Sequence, residues 1–311
     1  MKDLLSTAKL VTSPDMSATI GVWTDYCELL CLSEDNNHID RDQMSSIVIK
    51  SDDFANAGER AQKMRKEKLS TKFQDVYTHV LLRKQVLGAN YPFDINEDDQ
   101  LYLKMGELTC QEKIYIFLLY ASNLEYMKTV RELTSDFEVV CLMYMRRLFP
   151  SMVFKLFGSS NGNTKLQVGD VINDVKLSDR IVNLSKFITV SLDPECLSKI
   201  NKYNHGDGGL DLVGVRLMGD DRKSIPVIFG QCACSYDQWS AKQQSISDRQ
   251  WEKYFRTWET SIQTYIFIPI WNMNSEKGFE NDLELTHCVL VDRQRILHLA
   301  DDSLVQNLTS I

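Results

Sequence analysis

Little in this chain assigns it to a special class. No window approaches ~18 uninterrupted apolar residues, so no membrane span is expected. The opening MKDLLSTAKLVTSPDM has no continuous hydrophobic segment of the secretory kind, which makes cytoplasmic residence the expectation. Repeats and low-complexity segments are missing, and no second cysteine pair accompanies Cys232-x-Cys234 to suggest structural zinc. The eight cysteines (27, 31, 110, 141, 196, 232, 234 and 288) sit mostly in apolar runs and read as reduced core thiols. An excess of positive charge is also absent. Lys plus Arg number 35 against 43 Asp plus Glu, a net charge of −8. Phosphate neutralisation supplies most non-specific nucleic-acid affinity, so a chain that grips DNA unaided normally carries a basic surface. Here either a local basic face is hidden in the average or a partner subunit holds the nucleic acid.

What is present is a globular composition, with 311 residues that allow two domains. TIGVWTDYCELLCLS (19–33) carries apolar residues at helical spacing. EDNNHIDRDQM follows; it lacks the glycine of a calcium loop and reads as a turn in which Asp40 caps the next helix. A long helical pattern over 54–87 holds the densest basic run, Arg60, Lys63, Arg65, Lys66 and Lys68, read as a solvated face, with His79 as a packed side chain. Gly88 fits a helix stop and Pro92 an extended passage that ends in the strand LYLKM. QEKIYIFLLYASNLEYM reads as a central apolar helix. A boundary is expected near 128–136, with Ser135 or Asp136 capping the helix FEVVCLMYMRRLFP. FKLFGSSNGNTKLQVGDV reads as a loop and LSDRIVNLSKFI as a short helix. LDLVGVRLM and IPVIFGQCA are strands joined by a DDRKS turn whose Asp220 and Asp221 are solvated. An aromatic helix SDRQWEKYFRTWE, the strand QTYIFIPIW, a loop, the strand LTHCVLVD and a terminal helix complete the chain. The reading is a mainly helical domain over 1–130 and a mixed-sheet α/β sandwich over 131–311.

The chemistry gathers in NHGDGGLD and GQCA. Asp211 lies between Leu210 and Leu212 in a strand, where a carboxylate is costly unless it faces a site. Asp207 precedes two glycines that let the backbone approach a ligand, and Gln231 closes the second strand with an amide oxygen. Carboxylate, side-chain oxygen and main-chain carbonyl on adjacent strands suit a hard ion such as Mg2+ or Mn2+, which activates water at a phosphodiester.

GDGGLD followed by a strand ending in Gln-Cys resembles the restriction-endonuclease-like, or PD-(D/E)XK, superfamily, and within it the Mrr-type branch. That resemblance covers roughly residues 136–300. It implies a restriction-endonuclease-like α/β domain that cleaves DNA with Mg2+ or Mn2+, with Asp211 and Gln231 on the ion. Asp207 and Glu138, the latter in the preceding helix, would assist. The chain also resembles prokaryotic defence-associated proteins, which implies partner subunits in an anti-phage or anti-plasmid complex. The lysine of the branch's Q-x-K motif is replaced by Ala233, and Lys242 in DQWSAK is the residue expected to take its role. His205, Arg293 and Arg295 are candidate nucleic-acid contacts, with a loop histidine and structural salt bridges as the alternatives. Two other classes stay open: a catalytically inactive nuclease fold serving as a binding or assembly scaffold, and a thiol hydrolase built on Cys234 and His287.

Overall fold

The computed structural model describes residues 10–34, 37–51, 58–127, 131–158, 166, 169–201, 203–220, 222–256, 261–280 and 282–308. The predicted SSNGN turn (159–163) and Asp221 lie outside these residues. So do 54–57 of the long helix, 128–130 of the expected boundary and 257–259 of the aromatic helix. The chain divides into two compact units. One comprises residues 1–130, 270–280 and 310–311, the other 131–269 and 281–309.

In the first unit, helices α1 (Ile20–Ser33), α2 (Arg41–Ser51), α3 (Glu59–Leu87) and α4 (Cys110–Ser122) accompany a small antiparallel sheet. Its strands β1 (His38–Ile39), β2 (Phe93–Ile95) and β3 (Leu101–Leu103) are ordered β1-β3-β2. The unit is therefore not purely helical. Asp40 caps α2 as expected: its Oδ1 accepts the Gln43 N–H at 2.7 Å, and the Gln43 side chain accepts the Asp40 N–H at 3.0 Å. Gly88, at φ +58, ends α3 with its N–H on the Lys84 carbonyl. The expected central helix stops at Ser122; Thr109 and Glu112 form a capping box at its start, and a 3-10 turn over Leu124–Tyr126 follows. α1 is buried from Gly21 to Leu32, including Asp25 and Glu28, which burial alone would penalise. Arg83 of α3, fully buried, compensates them with Nη1 at 2.6 Å from Asp25 and 3.0 Å from Glu28.

The second unit is a six-stranded mixed sheet flanked by helices. α5 (Arg131–Leu148) leads to β4 (Val153–Phe157) and β5 (Val171–Ile172), then to α6 (Leu177–Phe187) and α7 (Pro194–Ser198). Next come β6 (Leu212–Val215), β7 (Val227–Cys232), α8 (Trp239–Lys242), α9 (Asp248–Glu252), β8 (Ile262–Phe267) and β9 (Cys288–Val291). The chain closes with α10 (Arg293–His298) and α11 (Asp302–Gln306). Strand order is β5-β4-β6-β7-β8-β9. β4, β6 and β7 pair antiparallel, whereas β7, β8 and β9 run parallel. Val213, Val215, Val227 and Phe229 turn one face toward Ile181, Leu184, Ile246 and Trp251. α5 packs against β4 and β7, where Phe149 meets Phe154 and the thiols of Cys141 and Cys232 are hydrogen-bonded.

Several expectations change. FKLF is not loop but the strand β4, whose pairing with β6 supplies the partner that LDLV needs; a five-residue strand broken off by Gly158 offers too short an alternation to read. α5 begins at Arg131, so Ser135 and Asp136 lie inside the helix and do not cap it. β6 ends at Val215, leaving Leu217 and Met218 exposed, because the Arg216–Pro226 backbone bond closes the ladder. The aromatic helix is shorter than expected, ending at Glu252. β8 ends two residues before Pro269, and 270–280 group with the first unit. The terminal helix breaks where Asp301 caps α11, accepting the Ser303 N–H at 2.8 Å.

Candidate functional site: an acid cluster at the ends of β6 and β7

The loop 204–211 carries the sequence's most loaded stretch to the start of β6. Gly208 and Gly209 adopt φ +70 and +80, conformations that favour glycine. Space demands glycine as well at the second: a Cβ on Gly209 would lie 2.4 Å from the Ser245 Cβ. A Cβ on Gly208 would touch the Trp251 ring at 3.4 Å. The turn is tightened by Asp207, whose Oδ1 accepts the Gly209 N–H at 2.7 Å. Ser245 fastens it to the turn after α8. Its Oγ lies 2.8 Å from the Gly209 carbonyl, 2.7 Å from that of Lys242 and 3.1 Å from Gln231 Oε1, its one proton serving these in alternation.

Asp211 stands between β4 and β7. Its carbonyl accepts the Phe157 N–H, and its own N–H goes to Gly230. The carboxyl is 6% exposed, and Oδ2 accepts from Gln231 Nε2 at 2.5 Å and from the Cys232 N–H at 2.6 Å. Gln231 thus turns its amide nitrogen, not its oxygen, toward Asp211. It orients the carboxylate, and the metal-ligand role expected of its oxygen is not set up in this arrangement.

Three carboxyls share one electrostatic field here. Burial first, then the charges of Asp211 and Asp207, pushes Glu138 up to about 8. Burial also raises Asp211, to about 7; the Cys232 N–H and the Lys242 ammonium pull it down, and Asp207 adds to the rise. Lys242, half-buried in α8, is therefore near enough to Asp211 to act on its charge. Ala233, at the position that a lysine would hold in the Mrr-type motif, is fully buried and inert.

Glu138, Asp207, Asp211, Gln231 and Lys242 are thus brought together, whereas the remaining candidates are not. His205 is an exposed loop residue with Nδ1 at 3.0 Å from the Val175 carbonyl. Arg293 is fully buried with Nε on the Pro269 carbonyl at 2.8 Å, so it is a structural cation, unable to meet a phosphate from solvent. Arg295 is exposed and donates to the Leu290 carbonyl beside its own helix. Asp220 is a solvated turn residue paired with Arg222, as expected. His79 is packed, its Nδ1 3.0 Å from the Thr24 hydroxyl. Burial pushes the Cys234 thiol up, away from the thiolate a nucleophile requires, and its electrostatic neighbours are Cys141, Lys242, Glu138 and Asp211, with no histidine.

Sequence reasoning missed Arg180. It is 1% exposed in the first turn of α6, donating Nε to the Asp174 carbonyl at 2.6 Å and Nη2 to that of His205 at 2.7 Å. Nη1 is buried without a hydrogen-bond partner, and the guanidinium lies within electrostatic reach of Asp207. Only a loop near α6 in space, not in sequence, gives Arg180 this role, so no local signal marks it.

A divalent cation fits the charge of this cluster. Asp211 Oδ1 accepts nothing in the hydrogen bonds above, and burial opposes the ionisation of Asp211 and Glu138, offset only in part at Asp211 by the Cys232 N–H and the Lys242 ammonium. The ligand set is not closed by side chains, however: among the described residues no three His, Cys, Asp or Glu side chains converge enough to hold a metal. No protein-family model, curated protein or solved structure matches this chain, so the chemistry of the site rests on its own geometry.

Proposed function

We propose that the second unit is a metal-dependent phosphodiesterase acting on DNA, of the restriction-endonuclease-like kind. One observation carries the reading. Glu138 from the helix before the sheet, Asp211 at the start of β6 and Lys242 from the helix after β7 meet around one buried, electrostatically strained carboxyl cluster. The element order supports it: a helix, β4 and its parallel partner β5, two helices, β6 and β7 completing an antiparallel β4-β6-β7 run, two helices and the parallel β8. When bound, Mg2+ or Mn2+ supplies Lewis acidity and an activated water. Asp211 and Glu138 would hold it, with Asp207 assisting. Gln231 and the Cys232 N–H fix the rotamer of Asp211, and Ser245 fixes Gln231 and the glycine turn. Lys242 orients the attacking water or steadies negative charge developing on the phosphate, in place of the residue that Ala233 replaces. The net charge of −8 makes a partner subunit the expected source of DNA grip, in keeping with a role as effector of a defence complex.

A second reading is a nuclease fold retained as a binding or assembly scaffold. The buried Ala233 and the open ligand set favour it. Incubating DNA with the chain and Mg2+ or Mn2+ separates the two. Cleavage by wild type that disappears in Asp211→Ala and with EDTA supports the nuclease. Cleavage unchanged in Asp211→Ala removes this site from the chemistry, and DNA binding without cleavage at any metal concentration favours the scaffold.

A further inference from the structure

Beside the acid cluster, two loop segments expose apolar side chains on a frame that is tied down at many points. Val175, just ahead of α6, is 73% exposed, and Tyr203 is 72% exposed. Their segments pair through the Leu177 N–H on the Asn204 carbonyl at 3.0 Å and through His205 Nδ1, 3.0 Å from the Val175 carbonyl. Asn201 Oδ1 accepts the Tyr203 N–H and Asn204 Oδ1 the Gly206 N–H, both at 2.9 Å, so the turn is braced from within. The main fastening is Arg180. Its guanidinium donates to the carbonyls of Asp174, Val175 and His205 at 2.6, 3.3 and 2.7 Å.

A buried guanidinium is a costly way to hold an exposed loop, and one of its nitrogens, Nη1, has no hydrogen-bond partner. Stability alone does not account for that choice, but position does. A Cβ on Gly158 would lie 3.8 Å from Arg180 Nη1, 3.4 Å from Asp207 Cβ and 4.0 Å from Asp207 Oδ2, so the fork and the acid meet over the end of β4. One clamp therefore fixes Asp207 on one side and the lip that bears Val175 and Tyr203 on the other. Tyr203 precedes Asp207 by four residues, which span at most about 14 Å. A strand with a phosphate at Asp207 passes the lip within a few nucleotides.

An aromatic ring and a branched aliphatic side chain presented on a fixed loop suit a flat apolar partner, and a nucleobase offers such a surface on each face. Stacking also needs no positive surface, which suits a chain of net charge −8. In continuous duplex the faces of the bases are covered by their neighbours, so only an unpaired base can present one to the lip. We infer that the lip stacks an unpaired base of the strand that is cut, which makes single-stranded DNA, or a single-stranded gap, the substrate in place of continuous duplex. The inference rests on the nuclease reading and names its substrate class.

Its test uses the full chain in EDTA, with a short end-labelled DNA strand, free or annealed to its complement, followed by fluorescence anisotropy. The single strand should bind at least about tenfold more tightly than the duplex, and Tyr203→Ala should weaken it by about the same factor, as loss of one stacked base does. Tyr203→Phe keeps the ring and should bind like wild type, whereas Val175→Glu should bind more weakly. All three variants should keep the wild-type melting temperature, because both side chains are exposed. Equal or tighter binding of the duplex, tighter binding of an RNA strand of the same sequence, or wild-type affinity in Tyr203→Ala would each overturn the inference. Adding Mg2+ or Mn2+ afterwards separates it from the reading it rests on. Strand binding through Tyr203 without cleavage upholds the lip and overturns the nuclease. Cleavage that depends on Asp211 and is unaffected by Tyr203→Ala upholds the nuclease and overturns the lip.

Discussion

Removing the charge of Asp211 should stabilise the fold while it destroys the site. The carboxyl is 6% exposed and already has two donors on Oδ2, and an amide oxygen in the same place can accept both. Asp211→Asn therefore keeps the hydrogen bonds and discards the charge that burial and Asp207 oppose. In the unfolded chain the carboxyl ionises near 3.8, in the folded chain near about 7. Between those values unfolding releases a proton, so wild-type stability falls as pH rises through the window and levels off above it. A rise of that size corresponds to roughly 4 kcal/mol. Because the field is shared with Glu138 and Asp207, the gain from the variant should be on the order of 2–4 kcal/mol at pH 8. For a unit of this size that is about 5–10 °C in melting temperature. Differential scanning fluorimetry in EDTA from pH 4.5 to 8.5 reads it directly. The gap between variant and wild type should be small at the acid end, widen as pH rises through about 7 and level off above pH ~8. A gap that does not change with pH, or a variant less stable than wild type at pH 8, would refute the electrostatic account of the site.

Three further outcomes follow from the same geometry. Gly209→Ala should cost about 2–4 kcal/mol in urea unfolding, since it combines backbone strain at φ +80 with a Cβ 2.4 Å from the Ser245 Cβ. Arg180→Lys retains the charge but not the fork that spans the Asp174 and His205 carbonyls, and should destabilise by roughly 1.5–3 kcal/mol in the same assay; a change near zero would mean that the loop before Asp207 is held elsewhere. Lys242→Met should leave thermal stability nearly unchanged but lower single-turnover cleavage by about 10²-fold or more if the lysine orients water or steadies phosphate charge.

The fold was legible where periodicity and turn chemistry agree. The paired runs LDLVGVRLM and IPVIFGQCA contain β6 and β7, and the α/β character of the second unit follows from their alternation with helices. What could not be read depends on partners distant in sequence. β4 is five residues long and takes its identity from its register, Phe154 opposite Gly214, where a Cβ on the glycine would meet the Phe154 ring at 2.1 Å. Asp25 and Glu28 sit inside a buried helix because Arg83, Tyr91 and Tyr115 reach them from other elements. No pattern within residues 19–33 announces that compensation. The three-stranded sheet of the first unit is similarly quiet, since β1 has only two residues and borrows its pairing from β3.

At the site the division is sharper, and it has a physical basis. Residues that would do chemistry are conspicuous in sequence because they break a local rule: Asp211 is an acid in an apolar strand, and two successive glycines precede it. Residues that would position them break none. Ser245 is an ordinary turn serine, yet it joins the carbonyls of Gly209 and Lys242 to the amide of Gln231. Arg180 is an ordinary basic residue on an amphipathic helix, yet it is 1% exposed and secures the carbonyl of His205. Gln231 belongs to both groups, since its place at a strand end was visible but the direction of its amide was not. That direction matters most for the chemistry. With Nε2 on Asp211 and Oε1 toward Ser245, Gln231 holds the carboxylate still, and any cation must take its protein ligands chiefly from Asp211 and Glu138. If the proposed metal-dependent reading holds, a site so sparing in ligands would bind its cation weakly until a phosphate contributed oxygens of its own, which would couple ion binding to the arrival of substrate.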